Sequence, residues 1–490
     1  MTSSTCATSP SSTSSFSSIF SASSFSFLNN KLSDSFPCQV GVRQGENLSP
    51  LLFAIYLNDF NTFLSEKYSG LTKVSESIES ELQTYLRIFC LLYADDTLVL
   101  AETAPDLQKS LDALHEYCNK WALNVNLDKT KIIVFAPGRR RKFGRFKLPF
   151  KFGDNVIDIV DDYVYLGTTF NFNGTFEKAK AKQALQAKKA SYGLMSRIRQ
   201  HNLTFEVSIE LIEKLIIPIL LYGSEIWGYE DPKHLQITLN NIMRRLLRLH
   251  KTTPICMING ESGLKEISEY IDNRMINFWS NIATGGENKI SSILYKWVKV
   301  LHERDIKESV WIKKIEETLV KMDMPLIFYN ITKEDKNWLK NDTKVKLEGI
   351  YAKKWSETVF NNSACINYRA MTLVKKTQNY ILKLPKRYAY ALCKLKCVNH
   401  NMPNVTGRYS NTPYEDRVCT FCQNNEIGDE FHYLFICEKF ALERSRYIKN
   451  YYYHPPNIYK LTQLFESSDF KEMLNLAKFA EIIVKTFKAK

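Results

Sequence analysis

Two aspartates set side by side between apolar runs restrict this chain more than any other feature. Tyr93-Ala94-Asp95-Asp96 separates residues 86–92 from residues 97–101, both rich in apolar side chains. Apolar runs of that length around a short polar break predict a β-hairpin that raises both carboxylates at its tip. Neighbouring strand residues point to opposite faces, so only one of Asp95 and Asp96 can enter a single site squarely. Adjacent acids on a hairpin suit a divalent cation that also holds phosphate oxygens. For the pair taken alone, an Asp-rich turn held by side-chain to backbone hydrogen bonds is the plain alternative.

Upstream lies Gly41-Val42-Arg43-Gln44-Gly45-Glu46-Asn47-Leu48-Ser49-Pro50. Gly45 lets the backbone approach a ligand closely, and Arg43 and Gln44 offer donors. Ser49-Pro50 predicts a helix start, a capping hydroxyl followed by proline at the first helical position. Leu107, Leu111, Leu114, Cys118 and Trp121 then recur at helical spacing, a stripe expected to pack beneath the hairpin sheet. Residues 127–135 and 163–167 predict strands, the second with a glycine bend, and basic residues 137–151 a loop or ribbon. Beyond Gly174 helical patterns dominate, over 177–200, 207–227 and 239–250, and again over 286–385.

The glycine-flanked segment and the acidic hairpin together resemble the reverse transcriptases of non-LTR (LINE-type) retrotransposons. The resemblance implies an α+β fold: a partial palm, with an antiparallel sheet packed on helices, then a helical thumb and connector and a small zinc-binding module. It implies Asp95 as a ligand of Mg²⁺ (or Mn²⁺), with Asp96 peripheral and Tyr93 beside them. Gln44, Gly45, Ser49 and Pro50 would position template and incoming nucleotide, with Arg43 as a donor. Lys129 would stand near the triphosphate, and Tyr165-Leu166-Gly167 would grip the primer end. The family also carries an earlier strand with an essential aspartate, whereas the only acid before Gly41 is Asp34. Two-metal chemistry takes carboxylates from two strands, so the polypeptide as written is expected to be N-terminally truncated and to polymerise poorly or not at all.

Cys419-x2-Cys422-x9-His432-x4-Cys437 offers three thiolates and an imidazole, a tetrahedral Zn²⁺ set. Its order matches the knuckle that follows the polymerase in non-LTR elements. Cys393, Cys397 and His400 could form a second site, or be buried thiols and an unrelated histidine. Phe421 and Tyr433 could stack bases or support the metal loop.

Lys and Arg exceed Asp and Glu by 66 to 52, a formal charge of +14. That excess favours a polyanion such as an RNA template and DNA primer. Arg139-Arg140-Arg141-Lys142 is the densest basic run, and Lys188 and Lys189 lie in the thumb-like helix, where Lys178, Lys180 and Lys182 precede them; a solvated face would explain that helix equally well. Lys394, Lys396 and Arg408 could add contacts near the knuckle. Residues 1–36 hold fifteen serines and one base, Lys31, which predicts disorder. The expected organisation is therefore 1–36 disordered, 37–175 palm, 176–285 thumb-like, 286–386 connector, 387–445 knuckle region and 446–490 helical tail. No secretory or membrane-spanning pattern is present, so an intracellular protein with reduced cysteines, cytoplasmic or nuclear, is expected. The rival readings are a non-catalytic nucleic-acid-binding protein and a decayed gene copy.

Overall fold

The computed structural model describes residues 22–24, 27–28, 31–32, 36–38, 48–67, 90–93, 96–135, 149–286 and 289–487. They belong to two compact units, residues 1–165 with 169–175, and residues 166–168 with 176–490.

Among the described residues the first unit consists of short antiparallel ladders and three helices. Strand β1 (Ala22–Ser24) pairs with β4 (Phe36–Cys38), and β2 (Phe27–Leu28) with β3 (Lys31–Leu32). These ladders fall at the end of the serine-rich stretch whose composition predicts disorder. Helix α1 (Ser49–Tyr56) begins at the Ser49-Pro50 pair, but Leu48 holds the N-cap position and no side chain caps it. Ser49 is thus inside the helix, and Pro50 fits because a first-turn N–H has no partner to lose. Strands β5 (Cys90–Tyr93) and β6 (Asp96–Val99) form the expected hairpin.

Helix α2 (Phe60–Lys67) and helix α3 (Ala104–Lys120) meet through Phe60 and Tyr117, whose ring centroids are 4.7 Å apart. Thr103 caps α3 by accepting from the Asp106 N–H at 3.3 Å. The other face of α3 carries the expected stripe. Leu111 and Cys118 are buried, with Leu107 and Leu114 partly so, against Ile132, Phe150, Phe152 and Ile157. The described partners of the stripe thus follow it in the chain; they are not the acidic hairpin. Gln108 ties the ribbon β7 (Lys151–Phe152) and β8 (Asn155–Val156) to α3. Its amide donates to the Lys151 carbonyl at 2.9 Å and accepts from the Lys151 N–H at 2.9 Å.

The strand expected over 127–135 reduces to a single parallel bridge, Ile132 to Ile159. Asn126 explains the loss. Its side chain accepts from the Lys129 N–H at 3.2 Å, and its carbonyl takes the Thr130 hydroxyl at 2.8 Å. Such local bonds compete with a ladder. Strands β9 (Asp162–Tyr165) and β10 (Thr168–Asn171) close the sequence of ladders.

The second unit is helical. Helix α4 (Glu177–Gln200) buries Ala179, Ala187, Leu194 and Ile198. It also buries Lys180, which reaches Glu177 at 2.6 Å and Glu230 at 2.8 Å. Lys180 is therefore a structural cation, unlike its solvent-facing neighbours. The expected 207–227 helix is broken into α5 (Phe205–Leu211), a π-helical turn (Ile212–Ile216), and two short pieces, Ile217–Leu220 and Ser224–Trp227. Pro218 has no N–H for the Lys214 carbonyl, and Gly223 turns the chain at φ 71°.

Helices α6 (Lys233–Leu247), α7 (Ile255–Ser262), α8 (Ile267–Ala283), α9 (Ile290–Glu303), α10 (Val310–Lys321) and α11 (Lys333–Asn361) follow. Thr332 and Asp335 cap α11 reciprocally. Helix α12 (Lys386–Lys396) lies against α14 (Phe470–Thr486), with α13 (Glu430–Phe435) between them in sequence. Residues 286–490, read above as three successive stretches, pack in one unit with α4 to α8. Lys396 of α12 even reaches Glu261 of α7 at 2.9 Å.

Packing around α7 is tight enough to test. A Cβ added at Gly260 would lie 2.7 Å from the Trp355 ring and closer still to the Tyr368 hydroxyl. Gly260→Ala is expected to cost about 1–3 kcal/mol, read as a lower denaturation midpoint. An unchanged midpoint would show that this core yields more easily than its contacts imply.

Candidate functional site

Tyr93 pairs with Asp96, so Asp96 is the first residue of β6, with its side chain exposed. Asp95 lies outside the described residues, as do Arg43, Gln44, Gly45, Arg139, Arg140, Arg141 and Lys142. Tyr93, Ser49 and Pro50 are placed by their backbones alone. Lys129 is exposed, its N–H turned to Asn126 and its carbonyl accepting from the Tyr163 hydroxyl at 3.0 Å. No contact joins Lys129 to Asp96 among the described residues.

The Tyr165-Leu166-Gly167 segment forms the tight turn between β9 and β10. Leu166 and Gly167 both have positive φ, 47° and 78°. That conformation is ordinary for glycine and strained for leucine. Tyr222 holds the turn: its hydroxyl donates to the Leu166 carbonyl at 2.7 Å, and its ring would sit 3.1 Å from a Cβ on Gly167. Gln183 and Trp227 in turn donate to the Tyr222 carbonyl at 2.6 and 3.0 Å. Sequence reasoning missed Tyr222. The available signal was its place in the run that Pro218 and Gly223 break.

The third constellation is fully described. Val418 bridges Ile427, and the Cys419 N–H donates to the Glu426 carbonyl at 2.8 Å, a small ribbon that carries Cys419 and Cys422. Asp429 caps α13 by accepting from the His432 N–H at 2.9 Å, which sets His432 in the first turn. Cys437 follows that helix. The four ligating atoms lie within 4.8 Å of one another. Tetrahedral zinc with Zn–S near 2.3 Å places neighbouring sulfurs roughly 3.8 Å apart. Here the Cys419 and Cys437 sulfurs are 3.8 Å apart, and the Cys422 sulfur is 3.4 Å from His432 Nε2. The donor set and spacing fit a tetrahedral metal ion.

Supporting contacts strengthen that fit. The Glu426 carboxylate lies 2.8 Å from His432 Nδ1, which leaves Nε2 for the sulfur cluster. Arg444, buried, donates to the Leu434 carbonyl at 2.8 Å and the Cys437 carbonyl at 2.6 Å. Burial opposes ionisation of Cys419, but the Tyr433 hydroxyl and the N–H groups of Phe421 and Cys422 outweigh it and bring the thiol down to about 6. Burial holds Cys437 up to about 12. Deprotonation thus starts at Cys419, and a dication would draw the remaining protons.

Comparison with known proteins bears on the N-terminal part of the chain. The family described as reverse transcriptase (RNA-dependent DNA polymerase) matches residues 2–170. The RNA-directed DNA polymerase from mobile element jockey of Drosophila melanogaster is 26% identical over 207 residues, 41% of this chain and 20% of that protein. A Pol polyprotein from the type-1 retrotransposable element R2 of Nasonia vitripennis is 25% identical over 295 residues, 57% of this chain and 27% of that protein. This chain carries a reverse transcriptase domain of non-LTR retrotransposon origin. A transposon-derived protein of Caenorhabditis elegans, 23% identical over 222 residues, is matched over 42% of this chain and 76% of its own length. The chain spans about a fifth of the length of the jockey protein that it matches. The reverse transcriptase match takes in the serine-rich residues and the ladders of residues 22–38.

Beyond residue 170 the structure places several of the residues named above. Lys188 and Lys189 are exposed on α4. Lys396, grouped above with nucleic-acid contacts, is buried in an ion pair. His400 pairs with Glu430 at 2.9 Å, so it leaves Cys393 and Cys397 as buried thiols 4.0 Å apart. Tyr433 is fully buried, 4.6 Å from the Phe487 ring, and supports the metal loop. No described helix is long and apolar enough to cross a membrane.

Proposed function

We propose that this chain is the polymerase-derived part of an RNA-directed DNA polymerase, with the hairpin β5–β6 as its acidic site. The observation that carries the reading is an antiparallel pair opening on Asp96 within the stretch matched by the reverse transcriptase family. Asp95 would be the Mg²⁺ (or Mn²⁺) ligand, with Asp96 peripheral, and the RNA template and DNA primer the substrates. Arg43, Gln44, Gly45, Ser49 and Pro50 would seat template and nucleotide, with Tyr93 beside the acids and Lys129 as cation for the departing pyrophosphate. When bound, a pair of such ions activates the primer hydroxyl and neutralises the triphosphate. The Leu166-Gly167 turn, strained and pinned by Tyr222, would hold the primer end. At the C-terminal cluster, Cys419, Cys422, His432 and Cys437 would hold Zn²⁺ as a structural ion.

Asp95 and Asp96 supply carboxylates from one strand pair, whereas bridging two ions takes them from two. The 490-residue polypeptide, expressed by itself, is therefore expected to extend a primed RNA template with Mg²⁺ at no more than background. Robust extension, lost in Asp95→Ala, would overturn this impairment while upholding the family reading. A non-catalytic nucleic-acid-binding role is the second reading, favoured by the charge of +14 and the Cys₃His cluster.

A further inference from the structure

We infer that the end of α6 and the start of α12 together form a clamp for the phosphodiester backbone of nucleic acid, built from Arg245, Arg248 and Lys386 on Tyr192 and Tyr390. The inference rests on the nucleic-acid reading above and names a surface that reading does not use. Arg245 lies 4.4 Å from the centroid of the Tyr192 ring and donates to its hydroxyl at 3.0 Å. Arg248 lies 4.2 Å from the centroid of Tyr390. Tyr390 is itself braced edge-on by Phe205 at 5.2 Å, and Asn399 donates to the Arg248 carbonyl at 3.4 Å. Lys386 reaches only a neutral partner, the Asn202 side-chain oxygen, at 2.9 Å.

Three cations converge here without a neutralising acid. Among the described residues no carboxylate forms an ion pair with Arg245, Arg248 or Lys386. The adjacent Arg387 does have one, Glu481 at 2.8 Å. Two cations near the C-terminal end of α6 are explained by the helix dipole. Lys386 is not, because it is the first residue of α12, the end at which a cation is disfavoured. Burial and then the charge of Arg248 hold its ammonium below the usual lysine range. The free protein thus carries a like-charge cost that a bound anion would relieve.

The stacking identifies the anion. A guanidinium held over a ring face is anchored on one side and keeps its outward N–H donors for the oxygens of a phosphate. Tyr192 is half exposed beside these donors and offers a π-surface at the same place. Phosphates spaced along a chain that also bears aromatic bases satisfy both features; a phosphorylated protein or a lipid headgroup satisfies the first alone.

The test uses the whole 490-residue protein and a fluorescein-labelled oligouridine RNA, with affinity read by anisotropy between about 50 and 200 mM salt. Combining Arg245→Gln, Arg248→Gln and Lys386→Gln is expected to weaken binding about tenfold and to flatten the salt dependence by about 2 in log–log slope. Removing three exposed lysines of α11 (Lys333→Gln, Lys340→Gln, Lys344→Gln) should leave affinity within about twofold. Arg245→Gln alone, whose side chain touches only Tyr192 in the contacts above, keeps the test sound should the triple variant unfold. It should lower the slope by about 0.7. A folded triple variant that binds RNA like the parent overturns the clamp and leaves the nucleic-acid reading intact. A parent protein that binds no RNA overturns both.

Discussion

Cys437→Ser, or stripping the protein with a chelator, is expected to lower the stability of the second unit by at least about 3 kcal/mol and to release one equivalent of zinc. The size follows from the chemistry of the cluster. Cys419, His432 and Cys437 are all buried, and Cys422 is partly so. Losing one ligand would leave like-charged or polar groups facing each other without a cation. Isolated zinc modules draw roughly 10–16 kcal/mol from their metal, essentially their whole folding energy. Here part of that cost is carried by packing, because Tyr433 beneath the loop contacts Phe440 and Phe487, and Arg444 clasps the Cys437 carbonyl. The dependence should therefore be large without being absolute. Metal content by atomic emission and the urea midpoint are the measurements. Cys393→Ser, a buried thiol outside the cluster, should release no metal. A purified protein that contains no zinc and ignores chelation would refute the assignment.

The Cys₃His grouping and the β5–β6 hairpin were legible in the sequence for different reasons. Cys419, Cys422, His432 and Cys437 could be read because ligand type and spacing alone restrict the chemistry, and the fold needs only to close a short ribbon onto a helix turn. The hairpin β5–β6 could be read because apolar runs around a polar break leave little else. What escaped was non-local. Lys180 and Lys396 look like solvent cations in sequence, and only the fold brings Glu230 and Glu261 to them. Likewise Asn126 diverts an apolar stretch from a strand by a side-chain bond that hydrophobic pattern cannot display. Tyr222 meets a turn some fifty residues earlier, a pairing that no local pattern encodes. The α3 stripe was recognised as buried, yet periodicity gives a face and not a partner, so its match with Phe150, Phe152 and Ile157 had to come from the structure.

Glu261→Leu should destabilise the second unit more than Lys396→Met, although the two residues form one ion pair. Both side chains are essentially excluded from solvent, at 0% and 1% exposure, with 2.9 Å between Lys396 Nζ and Glu261 Oε1. Removing one partner of a buried pair costs about 3–5 kcal/mol, because the other charge is left without an offset. The two removals differ in what else they strand. Glu261 also accepts from the Thr372 hydroxyl at 3.0 Å and from the Tyr380 hydroxyl. Glu261→Leu therefore orphans an ammonium and two buried hydroxyls, each of the latter worth about 1–3 kcal/mol. Lys396→Met puts an unbranched apolar side chain where the ammonium now faces the Tyr368, Tyr380 and Phe465 rings, and leaves Glu261 two donors. The double variant should cost less than the sum of the singles by more than about 1 kcal/mol, since the stranded charge disappears with its partner. Chemical denaturation of the four proteins measures that coupling. Simple additivity, or a Lys396→Met as damaging as Glu261→Leu, would mean that α7 and α12 are held together by packing and that the buried charges contribute little.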